Sequence, residues 1–218
     1  MTMTDKIRTE LLQIHEEACN LGKFAITMLQ DSIDAFERAD ADLAQDVCER
    51  KIELKKRFIA VEEAMFRYLA LYQPVARDMR EIVASLRIIY NFERIGRMGY
   101  DIGDTIKVLS QCCGLADPDK LIIVGRKVLA MIEDAMDAFT DREVSRIRNM
   151  RERDSEIDRL YCEVMRDLIK RMETDKDHVS ILARYVIIDR YLERCGDQAC
   201  NIAEMTTYMV TGERIEII

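Results

Sequence analysis

Apolar residues recur at three- and four-residue spacing along almost all of the 218 positions, the spacing that turns one face of an α-helix inward. The breaks in that pattern define the elements. A first helix is predicted from about Asp5 to Arg38. Asp40 or Asp42, either able to cap the exposed amides of the next turn, opens a second helix that runs towards Leu71. Pro74 forces a boundary, because it lacks an amide donor and disfavours helix in the residue before it. A third helix runs from about Val75 to Leu109. The clearest internal break is Gly114-Leu-Ala-Asp-Pro-Asp119, where Gly114 stops one helix and Asp117 caps the next with Pro118 in its first turn. The fourth helix reaches about Phe139, and Thr140-Asp-Arg-Glu143 has the form of a capping box that opens the fifth. The polar stretch from Glu173 to Asp177 ends the fifth, and the sixth runs to about Val210 with Gly212 as its stop.

Three helices, a break and three helices call for a search for internal repetition. The segment from Asn91 to Asp104 (NFERIGRMGYDIGD) aligns without gaps to Tyr191 to Glu204 (YLERCGDQACNIAE). Glu93/Glu193, Arg94/Arg194, Gly96/Gly196 and Ile102/Ile202 are identical across it. The expected fold is therefore all-α: two tandem three-helix bundles, residues 1–113 and 114–218, related by a pseudo-twofold. At 1.5 Å per residue the longest helices would span ~45 to 50 Å.

Composition supports that reading. With 49% hydrophobic and 34% charged residues, the chain has apolar material for a core and a heavily charged surface around it. Two prolines and eight glycines leave few breakers, which argues against short strands and tight turns. A net charge of -8 argues against nucleic acid as a partner, since phosphate backbones are bound mainly by Lys and Arg. The N-terminus lacks the basic-then-apolar plan of a secretory signal, and no uncharged apolar run is long enough to span a bilayer. A cytoplasmic protein is expected. The seven cysteines (19, 48, 112, 113, 162, 195 and 200) show no CxxC pair and read as small buried thiols.

The chemistry-bearing positions lie on the fifth and sixth helices. Asp189, Glu193 and Asp197 follow one another at i,i+4 with Asn201 next in line, and Asp154 and Asp158 stand one turn apart. Like charges so placed repel unless a cation compensates them. Carboxylate and amide oxygens converging from two helices suit magnesium, manganese or iron. Alternatively Arg151, Arg159, Arg190 and Arg194 pair with these acids on a solvated surface. Gly196, in mid-helix, marks a close approach of a ligand or of a packed helix.

These residues resemble the PhoU family of phosphate-transport accessory regulators. The likeness rests on Glu193-Arg-x-Gly-Asp197 with Asn201-Ile-Ala-Glu204, on Gln73-Pro-Val-Ala-Arg-Asp-Met-Arg80, on Arg153 to Asp158, and on Tyr208 to Gly212. The resemblance implies two three-helix bundles and a cytoplasmic, non-enzymatic regulator that restrains phosphate uptake and phosphate-starvation signalling. It also implies metal (iron, magnesium, manganese or zinc) held by Asp154, Asp158, Glu193, Asp197 and Asn201. The implied partners are the ATPase subunit of the phosphate ABC transporter, a sensor histidine kinase where one exists, and a second copy in a homodimer; the membrane is reached only through the transporter. The first half departs from the pattern: Arg97 stands where the motif aspartate belongs, and Lys51 about where the helix-two aspartate would be. Those cations beside Glu93 and Asp101 could replace the charge of a metal, leaving a salt-bridged vestige.

Two other classes compete. A carboxylate-metal bundle enzyme of the phosphohydrolase kind should show Glu-Glu-x-x-Glu, but Glu62-Glu63 is followed by Phe66. Di-iron oxidases need Glu-x-x-His, and neither His15 nor His178 has a Glu three residues before it. A metal-free helical adaptor docking through its acidic stripes is separated from the metal-binding reading by metal analysis.

Overall fold

The computed structural model describes residues 3–110 and 118–217, and among them there are only helices, turns and coil. In the first half, α1 (Met3–Arg38) is followed by α2 (Ala41–Glu49), α3 (Lys51–Tyr72) and α4 (Ala76–Leu109). In the second, α5 (Asp119–Asp141) and a 3₁₀ turn (Ser145–Ile147) precede α6 (Met150–Thr174) and α7 (Val179–Thr211). Asp40 is the cap of α2, its carboxylate accepting from the Leu43 amide at 2.9 Å. Gln73 ends α3 in the left-handed region, and Val75 is extended beside Pro74 before α4 begins. Gly212 closes α7 at φ +83°, with its amide donating to the Tyr208 carbonyl.

Four expectations need correction. The long second helix is two helices, because at Arg50 the backbone amide bonds back to Val47, three residues away, and interrupts the i→i−4 ladder. Arg50 then reaches Asp31 of α1 in an ion pair. Thr140 does not open a helix. It lies in the last turn of α5 with its hydroxyl donating to the Met136 carbonyl, and Arg142, left-handed at φ 55°, ends that helix. The following helix starts instead at Met150, after the 3₁₀ turn. Cys162 is exposed, whereas Cys19, Cys195 and Cys200 are buried and Cys48 is half-buried. The break at Gly114 and Asp117, and Cys112 and Cys113, lie outside the described residues; Pro118 is at the N-cap of α5 rather than inside it.

The two halves share one core. Within the first, α4 packs on α1, α2 and α3; within the second, α7 packs on α5 and α6; across the halves, α4 packs on α7 and α1 on α5. Helices α4 and α7 run antiparallel: Arg80 donates to the Met209 carbonyl near their outer ends, and the Cys195 thiol lies 3.8 Å from the Met98 sulfur where they cross. The apolar stripe of α7, Ile181, Tyr185, Ile188, Leu192, Cys195, Ala199 and Ile202, is buried throughout. Its burial fixes the rotation of α7 and therefore where the acids on that helix can point.

Candidate functional site

On α6, Ile157 lies between Asp154 and Asp158; on α7, Gly196 lies between Glu193 and Asp197. A methyl group placed on Gly196 would meet only Ile157, at 3.8 Å. That contact centres the site, since it sets the α6 pair of carboxylates against the α7 pair. It also corrects the packing reading of Gly196: no backbone or side chain of the chain approaches closely enough to require glycine.

The acids press on one another. Burial is the first cause that raises the pKa of Asp154, Glu193 and Asp197, and the charge of Asp158 acts to raise all three. Asp154 accepts a hydrogen bond from the Cys200 thiol at 3.4 Å, and burial followed by this carboxylate's charge pushes that thiol up. Compensating cations are few. Arg190 makes an ion pair with Glu193 at 3.0 Å, while Arg194 and Arg94, the latter from α4, act on Asp197 from farther away. Arg151 is spent on the carbonyls of Glu216 and Ile217, and Arg153 pairs with Asp134 of α5. Asn201 turns its amide back to the Asp197 carbonyl at 2.8 Å. Among the described residues, no three His, Cys, Asp or Glu side chains converge as they stand to hold a metal ion. The donor chemistry nevertheless fits a hard cation: Asp154, Glu193 and Asp197 are half-buried carboxylates on facing helices, each made costly in its charged form by burial and by its neighbours, and Asp158 stands exposed at their edge.

Asp189 does not belong to this group. It is fully exposure-free, both of its carboxylate oxygens lack hydrogen-bond partners, and burial, then the charge of Glu193, pushes its pKa up to about 7.

In the first half the corresponding positions hold cations among acids. Arg97 lies 3.8 Å from Glu93 on α4. Lys51, the first residue of α3, places its ammonium 3.7 Å from the centroid of the Tyr100 ring. Burial raises the pKa of Asp101, and the charges of Lys51 and Arg97 oppose that rise. The two arrays are neighbours across α4 and α7, since Asp101 also acts on Tyr191.

The sequence reading passed over Glu81, which is buried at the start of α4 and paired with Arg142 at the end of α5, an ion pair joining the two halves. Burial still leaves its pKa raised. The signal was present: Glu81 occupies the buried face of α4 with Ile82, Ser85 and Ile88, so a charge interrupts an apolar stripe.

With this geometry in view, known proteins supply a comparison. A sequence model of the PhoU domain matches twice, over residues 19–106 and 121–206. The phosphate-specific transport system accessory protein PhoU homolog of Clostridium acetobutylicum is 30% identical over 217 residues, covering 99% of both chains. The homolog of the same name from Caulobacter vibrioides is 32% identical over 211 residues, covering 94% of this chain and 90% of that one. The crystal structure of PhoU from Pseudomonas aeruginosa superposes with a TM-score of 0.91 at 28% identity, covering 94% of this chain and 99% of that one. The phosphate transport system regulatory protein PhoU from Streptococcus pneumoniae has the same fold, with a TM-score of 0.88 at 23% identity over 96% of this chain and 99% of its own. These relatives are named as accessory and regulatory proteins, not enzymes.

Proposed function

The chain belongs to the PhoU domain family, and from that premise we propose that it is a cytoplasmic negative regulator of phosphate uptake and of phosphate-starvation signalling. The observation that carries this reading is the double match of the family pattern over residues 19–106 and 121–206, beside relatives named as accessory proteins of phosphate-specific transport. The regulator acts by contact, on the ATPase subunit of the phosphate ABC transporter and, where one exists, on a sensor histidine kinase. Among the described residues no helix is long and apolar enough to cross a membrane, which is consistent with reaching the membrane through the transporter. We further propose a homodimer as the working form.

Asp154 and Asp158 from α6, with Glu193, Asp197 and Asn201 from α7, would hold a metal ion: iron, magnesium, manganese or zinc. A bound cation supplies the positive charge that four clustered carboxylates lack. The residues themselves do the rest. Two helices contribute the acids, so occupancy ties α6 to α7, and the Cys200 thiol holds one oxygen of Asp154 in place. In the first half Lys51 and Arg97 stand among Glu93 and Asp101 and provide that charge internally, so one metal site per chain is the reading. A metal-free adaptor is the second reading, and the lack of three converging ligands among the described residues favours it.

The direct test is binding of the purified chain to the ATPase subunit of the phosphate transporter from the same genome, by calorimetry or co-purification. Saturable one-to-one association is expected; failure to associate in the presence and absence of added metal removes the transporter from the mechanism.

A further inference from the structure

The segment from Gln73 to Arg80 carries part of the family resemblance, yet the acid set does not use it. It borders a cleft of about 570 Å³ whose other walls come from the start of α1, the end of α3 and, from the second half, Arg142. Tyr68, which also lines the cleft, is fully buried, and its hydroxyl has no hydrogen-bond partner among the described residues. Burial, and then the charges of Asp78 and Glu81 on the same cleft, push this phenol's pKa up, so it remains a donor. A buried hydroxyl left unpaired is costly, and a group in the cleft that accepts from it removes that cost.

The charges at the cleft are unequal. Glu81 is occupied by Arg142. Arg8 and Arg77 are exposed, line the cleft and make no ion pair among the described residues, with Asp78 as the remaining acid on the wall. Guanidinium forks match the geometry of carboxylate and phosphate oxygens. Leu11 and Pro74 give the same cleft an apolar wall, and its volume falls within the roughly 300 to 1,000 Å³ of small-molecule sites.

We propose that this cleft binds a small organic anion, with a carboxylate or phosphate-ester headgroup held by Arg8 and Arg77, an apolar body against Leu11 and Pro74, and a polar atom accepting from Tyr68. Because Arg142 enters from the second half, the ligand bears on the junction between the halves. The inference goes beyond the regulatory reading and is read on the purified chain alone, so the failure of either leaves the other standing.

Isothermal titration calorimetry of the full chain tests it, with AMP as the phosphate ester, phenylacetate as the carboxylate, and adenosine and inorganic phosphate as the separated parts of AMP. AMP or phenylacetate binds one to one, and whichever binds identifies the headgroup; if it is AMP, adenosine and phosphate bind about tenfold or more weakly. Combining Arg8→Gln with Arg77→Gln, both exposed, weakens binding about tenfold or more. Tyr68→Phe weakens it about fivefold and leaves the unfolding temperature of the unliganded chain unchanged or higher, since the hydroxyl has no partner to lose. Absence of binding by both AMP and phenylacetate, or affinity that survives the double arginine substitution, overturns the proposal.

Discussion

At the scale of single residues, spacing named the acids and missed their environments. Asp189, Glu193 and Asp197 follow at i,i+4, but each such step rotates about 40° around the helix, because 3.6 residues make a turn. Over two steps the stripe turns from core to surface, which is why Asp189 is buried while Glu193 and Asp197 face α6. The largest pH consequence at this scale belongs to Asp189. Its carboxyl ionises near 3.8 when exposed in the unfolded chain and near 7 in the folded one. Between those values the unfolded state has released the proton that the folded state keeps, so stability falls as pH rises through this window and levels off above it. That single group lowers stability by roughly 3 kcal/mol between about pH 5 and 8. Asp189→Asn is expected to flatten that slope in urea unfolding measured at several pH values; an unchanged slope would place the titration elsewhere. Asp197→Asn addresses the site. Metal counted per chain after exposure to excess cation and gel filtration is expected to fall nearly to zero, whereas survival of half would mean that the first half binds metal as well.

At the scale of elements, long amphipathic periodicity was the most legible feature, and local punctuation the least. The ends at Asp40, Pro74 and Gly212 were readable because each carries its own backbone chemistry, a side-chain cap, a missing donor and a left-handed turn. Thr140 misled because a threonine near a helix end either caps the next helix or bonds back to its own, and here it bonds back to Met136. The Arg50 interruption had no sequence signal, since no Gly or Pro marks it and the amide that bonds to Val47 belongs to an ordinary helix-forming residue. Helix packing separates two glycines of the repeat region. A methyl on Gly99 would lie 2.9 Å from the Leu29 amide nitrogen and 3.0 Å from the Met28 carbonyl carbon, both backbone of α1. Gly99→Ala therefore has to push two helices apart and is expected to cost about 2 kcal/mol or more. Gly196→Ala meets only ordinary contact with Ile157, and helix propensity is expected to stabilise it by up to ~1 kcal/mol. Chemical denaturation of the two variants measures both, and equal effects would contradict the packing argument.

At the scale of the whole molecule, the sequence repeat and the helix pattern together carried the architecture, because α4 and α7 hold the duplicated segments and pack against each other at the centre. The shared core and the Glu81 to Arg142 link were not legible, since contacts between halves leave no periodic trace. The asymmetry of the two acid arrays was legible residue by residue in Lys51 and Arg97, while their closeness across α4 and α7 required the fold. Regulation of phosphate uptake is the central claim, and it is a property of the cell as well as of the chain. The most direct measurement is phosphate uptake, with expression of phosphate-starvation genes, in a strain lacking this gene and grown with ample phosphate. Constitutive expression and excess uptake, reversed by restoring the gene, are the expected result; a phosphate response identical to that of the parent strain would contradict the account.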